Sequence, residues 1–253
     1  MILNVLKKGF NYSQDGPGNR LVYHLQGCNM HCPWCANPES MPLEGTLMTG
    51  KTSGTHISFQ EERVEDLLEE AKDSRILFFD GGGVTLTGGE PTLQFDALRE
   101  FLTGLKAAGI HTAIETNASH PRLSELFGVI DLLIMDCKHI DSHKHRRITG
   151  LSNRIILKNI ESAMSFHGNV LIRTPLIHGF NADTDTAEAL ISFYKQYDIS
   201  RTRFELLKYH EYGREKWVAC RLPYQIKDGF ITDSRYEEIE NIYRSGGLTV
   251  VRT

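Results

Sequence analysis

The stretch Leu21-Val-Tyr-His-Leu-Gln26-Gly-Cys28-Asn-Met-His-Cys32-Pro-Trp-Cys35-Ala-Asn-Pro-Glu39 joins an apolar segment to three closely spaced cysteines. Its first six residues are mostly apolar or aromatic, which predicts a strand over Leu21–Gln26. The cysteines follow that strand directly, with the spacing Cys-x3-Cys-x2-Cys. Three cysteines within eight residues are typical of metal ligands or redox thiols rather than of a secreted disulfide framework.

Strand-like and helix-like segments alternate along almost the whole chain. Further strands are predicted at Val84–Thr87, His111–Thr116, Leu132–Asp136, Val170–Thr174 and Arg203–Leu207. Apolar residues at helical spacing predict helices around Val64–Ala71, Leu98–Leu105, Ile156–Ala163, Ala187–Tyr194 and, last, Tyr236–Tyr243. We expect Gly109 to stop the second helix and Asp183 to cap the fourth. The polar stretch Asn37–Gln60 predicts a surface loop, and Leu248–Val251 a final short strand.

This alternation predicts an α/β fold whose parallel strands are joined by right-handed crossovers. About six strand–helix units fall short of the eight in a closed barrel, so an open partial barrel and a doubly wound sheet both remain open. No linker, repeat or low-complexity stretch divides the 253 residues, which predicts one domain over residues 1–253.

The bulk composition excludes several classes of protein. A net charge of −4 gives no electrostatic reason to expect a nucleic acid partner. The amino-terminal residues become charged too early for a secretory signal, and no apolar run has transmembrane length. We therefore expect a cytoplasmic protein without a membrane partner.

Three thiolates this close can bind one face of a four-iron cluster and leave the fourth iron without a protein ligand. An open metal position is where a substrate or cofactor can bind. Two alternatives compete: a structural zinc site completed by His31, and a thioredoxin-like dithiol at Cys32 and Cys35. The dithiol leaves Cys28 unexplained.

Polar residues recur near the carboxyl ends of the predicted strands, where ligands bind in α/β folds. Gly88 and Gly89 allow close backbone approach, and a carboxylate follows at once. Alternation along Leu132–Lys138 places Asp136 and Lys138 on one face and Cys137 on the other. The set comprises Gly88, Gly89, Glu90, Glu115, Asp136, Lys138, Arg173 and His210. The basic, histidine-rich segment Lys138–Arg147 predicts a solvated face, with docking of an acidic partner left open.

Taken together, these motifs resemble the radical S-adenosylmethionine (SAM) superfamily and, within it, the activating enzymes of glycyl radical enzymes, most of all the pyruvate formate-lyase type. The matching segments cover nearly the full length in the family's order. They are the cysteine motif, Asp15–Gly18, Gly88–Glu90, Glu115–Asn117, Asp136 with Lys138, Gly150–Asn153, Arg173 and Glu205–Trp217.

The resemblance implies an α/β partial (β/α)6 barrel, open and similar to a TIM barrel, with the cluster loop at residues 27–39. It implies that Cys28, Cys32 and Cys35 hold one [4Fe-4S] cluster, with Trp34 and Ala36 beside the cofactors. Gly88, Gly89 and Glu90 would contact the amino end of SAM. The remaining parts of SAM would be held by Glu115, Asp136, Lys138, Arg173 and His210. Glu115 and Asp136 would also be the ligands of any monovalent cation.

The implied activity is reductive cleavage of SAM to a 5′-deoxyadenosyl radical, which takes hydrogen from a backbone glycine of a partner glycyl radical enzyme. Flavodoxin or ferredoxin would donate the electron, and the chain would act as a monomer. The alternative is a radical SAM enzyme acting on a small molecule, of the 7-carboxy-7-deazaguanine synthase type.

Three residues depart from the family pattern: Ala36 replaces a common histidine, Glu115 an aspartate and Lys208 a proline. Most activating enzymes of other glycyl radical enzymes also carry two further cysteine clusters before the Gly-Gly-Glu motif. No cysteine lies in Ala36–Thr87. The sequence therefore predicts no ferredoxin-like insertion, which favours the pyruvate formate-lyase type.

Overall fold

A computed structural model describes residues 1–50 and 54–252. Within these ranges one sheet has eight strands in the order β10-β9-β8-β7-β6-β2-β1-β5. The strands of this sheet are β1 (Ile2–Tyr12), β2 (Asn19–Leu25), β5 (Gln60–Arg63), β6 (Gly83–Gly88), β7 (Thr112–Thr116), β8 (Leu132–Asp136), β9 (Val170–Leu176) and β10 (Thr202–Lys208). A separate hairpin consists of β3 (Leu47–Gly50) and β4 (Gly54–Ile57).

Helices lie between most of the parallel strands, and a 3₁₀-helix, Leu123–Val129, lies between β7 and β8. The α-helices are α1 (Val64–Asp73), α2 (Phe95–Ala107), α3 (Ser142–Thr149), α4 (Arg154–Phe166), α5 (Thr184–Tyr194), α6 (Arg214–Ala219) and α7 (Asp233–Ser245). No helix in the described ranges is long and apolar enough to span a membrane.

The six strands predicted from the sequence are confirmed as β2 and β6 to β10, all paired in parallel. Among the described residues the sheet stays open, with β10 and β5 as its two edges. The fold is therefore the α/β partial barrel that the resemblance implied, not a closed one.

The sequence did not predict the two antiparallel strands at one edge. In β1 the alternation of apolar residues breaks at an irregularity in register between Val5 and Lys7, and exposed lysines follow. The antiparallel partner β5 reads Gln-Glu-Glu-Arg, with no apolar residue at all. An edge strand needs only one protected side, so its sequence carries little of the buried-strand pattern.

The helix predictions are confirmed, including their ends. The Asp183 side chain accepts a hydrogen bond from Thr186 N at 2.8 Å and so caps α5. Gly109 follows the last turn of α2 with φ of +67°. In α2 the buried side chains Leu98, Phe101 and Leu105 share one face, which packs on the sheet within the main core.

Three predictions need correction. The stretch Asn37–Gln60 is not only a surface loop, because it contains the hairpin β3–β4 and a buried turn of 3₁₀-helix at Pro38–Ser40. The segment Leu248–Val251 makes a single bridge, Phe204 with Val250, rather than a strand. Arg173 does not end its strand but lies in the middle of β9.

Candidate cofactor site

The cysteine loop begins where β2 ends, and backbone hydrogen bonds anchor it on several sides. Gly27 N–H donates to Ser40 O at 2.8 Å and Cys28 N–H to Met41 O at 2.9 Å. On the far side, His31 N–H donates to Thr149 O at 2.8 Å, at the end of α3. The loop is therefore held by its own return segment and by a helix more than a hundred residues later in the sequence.

All three loop cysteines are free thiols, and neutral N–H groups point at two of their sulfurs. Met30 N–H donates to Cys28 Sγ at 3.4 Å and Asn37 N–H to Cys35 Sγ at 3.3 Å. Burial raises the pKa of each of these cysteines to about 12. Such buried thiols become thiolates when a metal supplies the compensating positive charge. Three free cysteines, one buried and two half-buried, of which two already receive N–H donors, therefore fit an iron–sulfur cluster.

A buried ion pair lies at the same end of the sheet. Lys138 Nζ donates to Asp136 Oδ2 at 2.5 Å, and Lys138 is only 8% exposed. Burial by itself lowers the pKa of Lys138, but the Asp136 carboxylate and the nearby Cys32 raise it overall above its usual value. An ammonium thus stands beside the cysteine loop, and its pairing with Asp136 agrees with the prediction that these two side chains share a face.

The glycines at the end of β6 are required by packing within the protein. A Cβ on Gly88, whose φ is +118°, would come within 2.4 Å of Leu25 N. On Gly89 it would come within 2.2 Å of Gly27 O. Only residues without a side chain let β6 meet the root of the cysteine loop, where Glu90 N–H donates to Gly27 O at 2.7 Å.

The Glu90 carboxylate is fully buried and already saturated by the protein. It accepts hydrogen bonds from Thr92 N (3.0 Å), Thr116 Oγ1 (2.7 Å) and Asn117 N (2.6 Å), as well as from Thr92 Oγ1. Burial raises the pKa of Glu90, while these donors oppose the rise. The side chain thus joins the ends of β6 and β7, and Asn117, which it fixes, reaches Asn29 of the cysteine loop at 2.9 Å.

A second ion-pair network lies deeper between the strands. Arg173 Nη1 donates to Glu115 Oε1 and Arg173 Nε to Glu205 Oε2, both at 2.7 Å. The third branch, Arg173 Nη2, donates to Gln14 O at 2.6 Å, in the segment next to Asp15. This network ties β7, β9 and β10 to the turn between β1 and β2, and Thr85 Oγ1 of β6 donates to Asp15 O of the same turn at 2.7 Å.

The remaining predicted site residues lie in different surroundings. The Trp34 ring packs against Phe180 at 5.2 Å between centroids and is 9% exposed. Ala36 lies against Gly213, since a Cβ added to Gly213 would be 2.8 Å from Ala36 Cα. The His210 ring stacks on Tyr212 at 4.2 Å, and burial lowers its pKa.

Sequence reasoning did not single out Glu205, Asn117 or Lys216 as site residues. Each is fixed by contacts with residues far away in the chain, such as Lys216 Nζ with Glu39 Oε1 at 2.7 Å. Glu205 and Lys216 fall inside the segment that carried the family resemblance. Asn117 falls inside another of those segments, Glu115–Asn117, so membership of the matching segments was the available signal.

Comparison with known proteins agrees with this geometry. The family model of the radical SAM superfamily matches residues 22–190. The chain is 33% identical to the pyruvate formate-lyase-activating enzyme of Staphylococcus epidermidis, over 91% of this chain and 89% of that protein. It is 30% identical to the 4-hydroxyphenylacetate decarboxylase activating enzyme of Clostridioides difficile, over 92% of this chain and 90% of that protein.

A solved structure is similar as well. It is a domain of the pyruvate-formate lyase-activating enzyme from Bacteroides vulgatus, with a TM-score of 0.57 and 29% identity, covering 68% of this chain and 98% of that one. The chain therefore belongs to the radical SAM superfamily. Its relatives place it, within that superfamily, among the activating enzymes.

Membership assigns the cofactors, a [4Fe-4S] cluster and SAM. No three His, Cys, Asp or Glu side chains in the described part of the chain are grouped closely enough to hold a single metal ion. A cluster does not need such a group, because each cysteine binds a different iron. The residues that fit the cluster are Cys28, Cys32 and Cys35.

Proposed function

We propose that this chain is an activating enzyme of the pyruvate formate-lyase type, which generates a radical on a backbone glycine of a partner glycyl radical enzyme. The observation that carries the proposal is the loop of three free cysteines, buried or half-buried, at the carboxyl end of β2, beside the Lys138–Asp136 pair. When bound, the cluster supplies one electron that cleaves SAM to methionine and a 5′-deoxyadenosyl radical.

The chain's own residues contribute position, charge and exclusion of water. Cys28, Cys32 and Cys35 hold the cluster. The Lys138 ammonium lies beside them, where it can bind a carboxylate such as that of SAM. Trp34 and Phe180 cover the neighbouring side of the loop with aromatic surface, which keeps water away.

The other predicted SAM contacts form a second part of the proposal. The backbone at Gly88 and Gly89 and the end of β8 at Asp136 offer polar groups on the cysteine side of the sheet. Glu115, Arg173 and Glu90 act mainly by holding the strand ends in place, since protein donors and acceptors already engage them. The monovalent cation remains a prediction, because Asp136 and Glu115 are each paired with a basic side chain.

An open sheet suits a macromolecular substrate. A primary carbon radical reacts with nearby C–H bonds, so its target must lie in contact with it when it forms. In the described residues the edges β10 and β5 do not meet, which leaves a side through which a loop of another protein can enter.

Alignment lengths favour the pyruvate formate-lyase type. The alignments with the C. difficile and S. epidermidis enzymes cover almost the same share of this chain, 92% and 91%. The first nevertheless spans 288 positions and the second only 239. The C. difficile relative therefore carries extra residues that this chain lacks. This supports a one-cluster activating enzyme, in line with the absence of cysteine from Ala36–Thr87.

We further propose that the chain works as a monomer in the cytoplasm and takes its electron from flavodoxin or ferredoxin. The exposed side chains Lys144, Arg146 and Arg147 of α3 make no ion pair among the described residues. This helix is joined to the cysteine loop through Thr149 and His31. An acidic redox protein bound there would lie close to the cluster.

The test is direct activation. The reconstituted, reduced protein is incubated anaerobically with SAM and pyruvate formate-lyase, and the glycyl radical doublet is read by electron paramagnetic resonance (EPR). 4-Hydroxyphenylacetate decarboxylase serves as the matched second partner. We expect the doublet on pyruvate formate-lyase. Cleavage of SAM without a doublet on either partner would refute the proposal.

A further inference from the structure

Helix α6 reaches back to the cysteine loop from about 180 residues later in the chain. Lys216 Nζ donates to Asn37 Oδ1 and to Glu39 Oε1, both at 2.7 Å. Glu39 is only 5% exposed and holds its place in the 3₁₀ turn Pro38–Ser40. One ammonium thus joins α6 to two residues that lie two and four positions after the last cysteine of the motif.

Two further contacts hold α6 at the same place. Trp217 Nε1 donates to Cys35 O at 2.9 Å. Gly213, just before α6, lies so close that an added Cβ would be 2.5 Å from Cys35 O. Glycine at 213 is therefore required for α6 to approach the loop this closely.

The residue that Lys216 holds is the one whose backbone amide faces a cysteine sulfur. Asn37 N–H donates to Cys35 Sγ at 3.3 Å. Asn37 O accepts from Ser40 N at 3.0 Å and from Ser40 Oγ at 2.7 Å. With its carbonyl and its side chain both fixed, Asn37 can point its amide only in a narrow range of directions.

An N–H group that donates to a cluster sulfur stabilises the more negative, reduced state, and so raises the reduction potential. We propose that Lys216 is a positioning residue, which holds the Asn37 amide on Cys35 Sγ and thereby sets the reduction potential of the cluster. The inference rests on the cluster assignment but not on the identity of the partner enzyme.

The test uses variants that separate position from charge. Asn37→Ala removes the side-chain oxygen that Lys216 holds and changes no charge. Lys216→Met removes both the hydrogen bond to Asn37 and the positive charge. Lys216→Arg keeps the donor and the charge, and Lys158→Met removes an exposed lysine of α4 as a control. Each protein is reconstituted, its iron and sulfide are counted, and its midpoint potential is measured by EPR-monitored titration. Resonance Raman spectra report the Fe–S(Cys) stretches.

We expect Asn37→Ala and Lys216→Met to lower the potential, with about a tenfold shift in the oxidised-to-reduced ratio, or 59 mV for one electron. Lys216→Arg should recover most of the loss, and Lys158→Met should match the parent. The Raman stretches should shift in the same two variants.

Two outcomes overturn the inference: unchanged potentials in both variants with a full cluster, or a change confined to Lys216→Met, which would be a charge effect alone. If Asn37→Ala fails to hold a cluster, the comparison of Lys216→Met with Lys216→Arg decides, because equal potentials in the two would refute positioning. A parent protein that binds a cluster but activates no partner would refute the proposed function and leave this inference standing.

Discussion

The cysteine loop and the Arg173 network lie on different strands of the same parallel sheet, and their polar groups are satisfied in different ways. The hydrogen bonds to Cys28 Sγ and Cys35 Sγ come from neutral N–H groups, and burial keeps these thiols protonated. Arg173 instead holds two carboxylates, Glu115 and Glu205, at 2.7 Å each. The charged groups of the network are engaged by partners within the protein, whereas under the proposed function the loop reaches its working charge state when metal is bound.

This difference teaches how to assign roles to buried polar residues at strand ends. A buried group whose hydrogen-bond and ion-pair partners all lie within the chain stabilises the fold, and such a group is called a framework element below. A buried group that can change its charge state is placed for a cofactor. Removing residues from each region should therefore cause different failures: loss of the cofactor in one, and loss of stability in the other.

The largest effect is expected in the loop. Cys28→Ala, Cys32→Ala and Cys35→Ala should each abolish cluster binding, because each removes the ligand of one iron. Cys220→Ala, a buried cysteine outside the motif, is the matched control and should keep its cluster. Iron and sulfide content after anaerobic reconstitution measures the result. Equal iron in all four variants would reject the ligand assignment.

The second effect is expected in the network. Arg173 is 4% and Glu205 2% exposed and Glu115 is half-buried, so Arg173→Met removes the cation that these two carboxylates share. We expect the free energy of unfolding of the cluster-free protein to fall by about 3–5 kcal/mol. Urea denaturation followed by circular dichroism measures the change. Full stability in the variant would show that the network is not a framework element.

The same network should make the protein sensitive to acid. Burial alone would raise the pKa of Glu115, but the Arg173 guanidinium outweighs it and holds the pKa below its usual value. A lowered folded-state pKa contributes stability above the unfolded pKa, and this is lost as the pH falls through the folded pKa. The parent should therefore lose stability toward low pH more steeply than Glu115→Gln. Identical pH profiles of urea denaturation would contradict this account.

Both regions were visible in the sequence as charged or cysteine-rich strand ends, and the six parallel strands were predicted with small errors at their ends. Local patterns suffice for such features, since a buried parallel strand is a short apolar run. What the sequence could not show is pairing across distance. The bonds of Arg173 to Glu115 and of Lys216 to Asn37 join residues 58 and 179 positions apart. The antiparallel strand β1, which lies between β2 and the edge strand β5, was missed because its pattern breaks at a register irregularity.

Lys138 shares one feature with each region. It is paired with a carboxylate within the protein, as Arg173 is, and it stands beside the cysteines. Lys138→Met should leave cluster binding intact and lower kcat/KM for SAM by roughly tenfold to a hundredfold, the scale of losing a polar neighbour at a metal site. Release of 5′-deoxyadenosine with dithionite as reductant is the measurement, with Lys158→Met as control. An unchanged kcat/KM would place Lys138 with the framework.

The smallest effect is expected at a helix end that belongs to neither region. Asp183 accepts from Thr186 N at 2.8 Å and from Thr186 Oγ1 at 2.9 Å at the start of α5. Asp183→Ala leaves that first-turn N–H without its cap and should lower the free energy of unfolding by about 1 kcal/mol. Asp183→Asn keeps an oxygen acceptor and should lose less. Iron content and SAM cleavage should match the parent in both, so a variant that lost cluster without losing stability would show that α5 influences the cysteine loop.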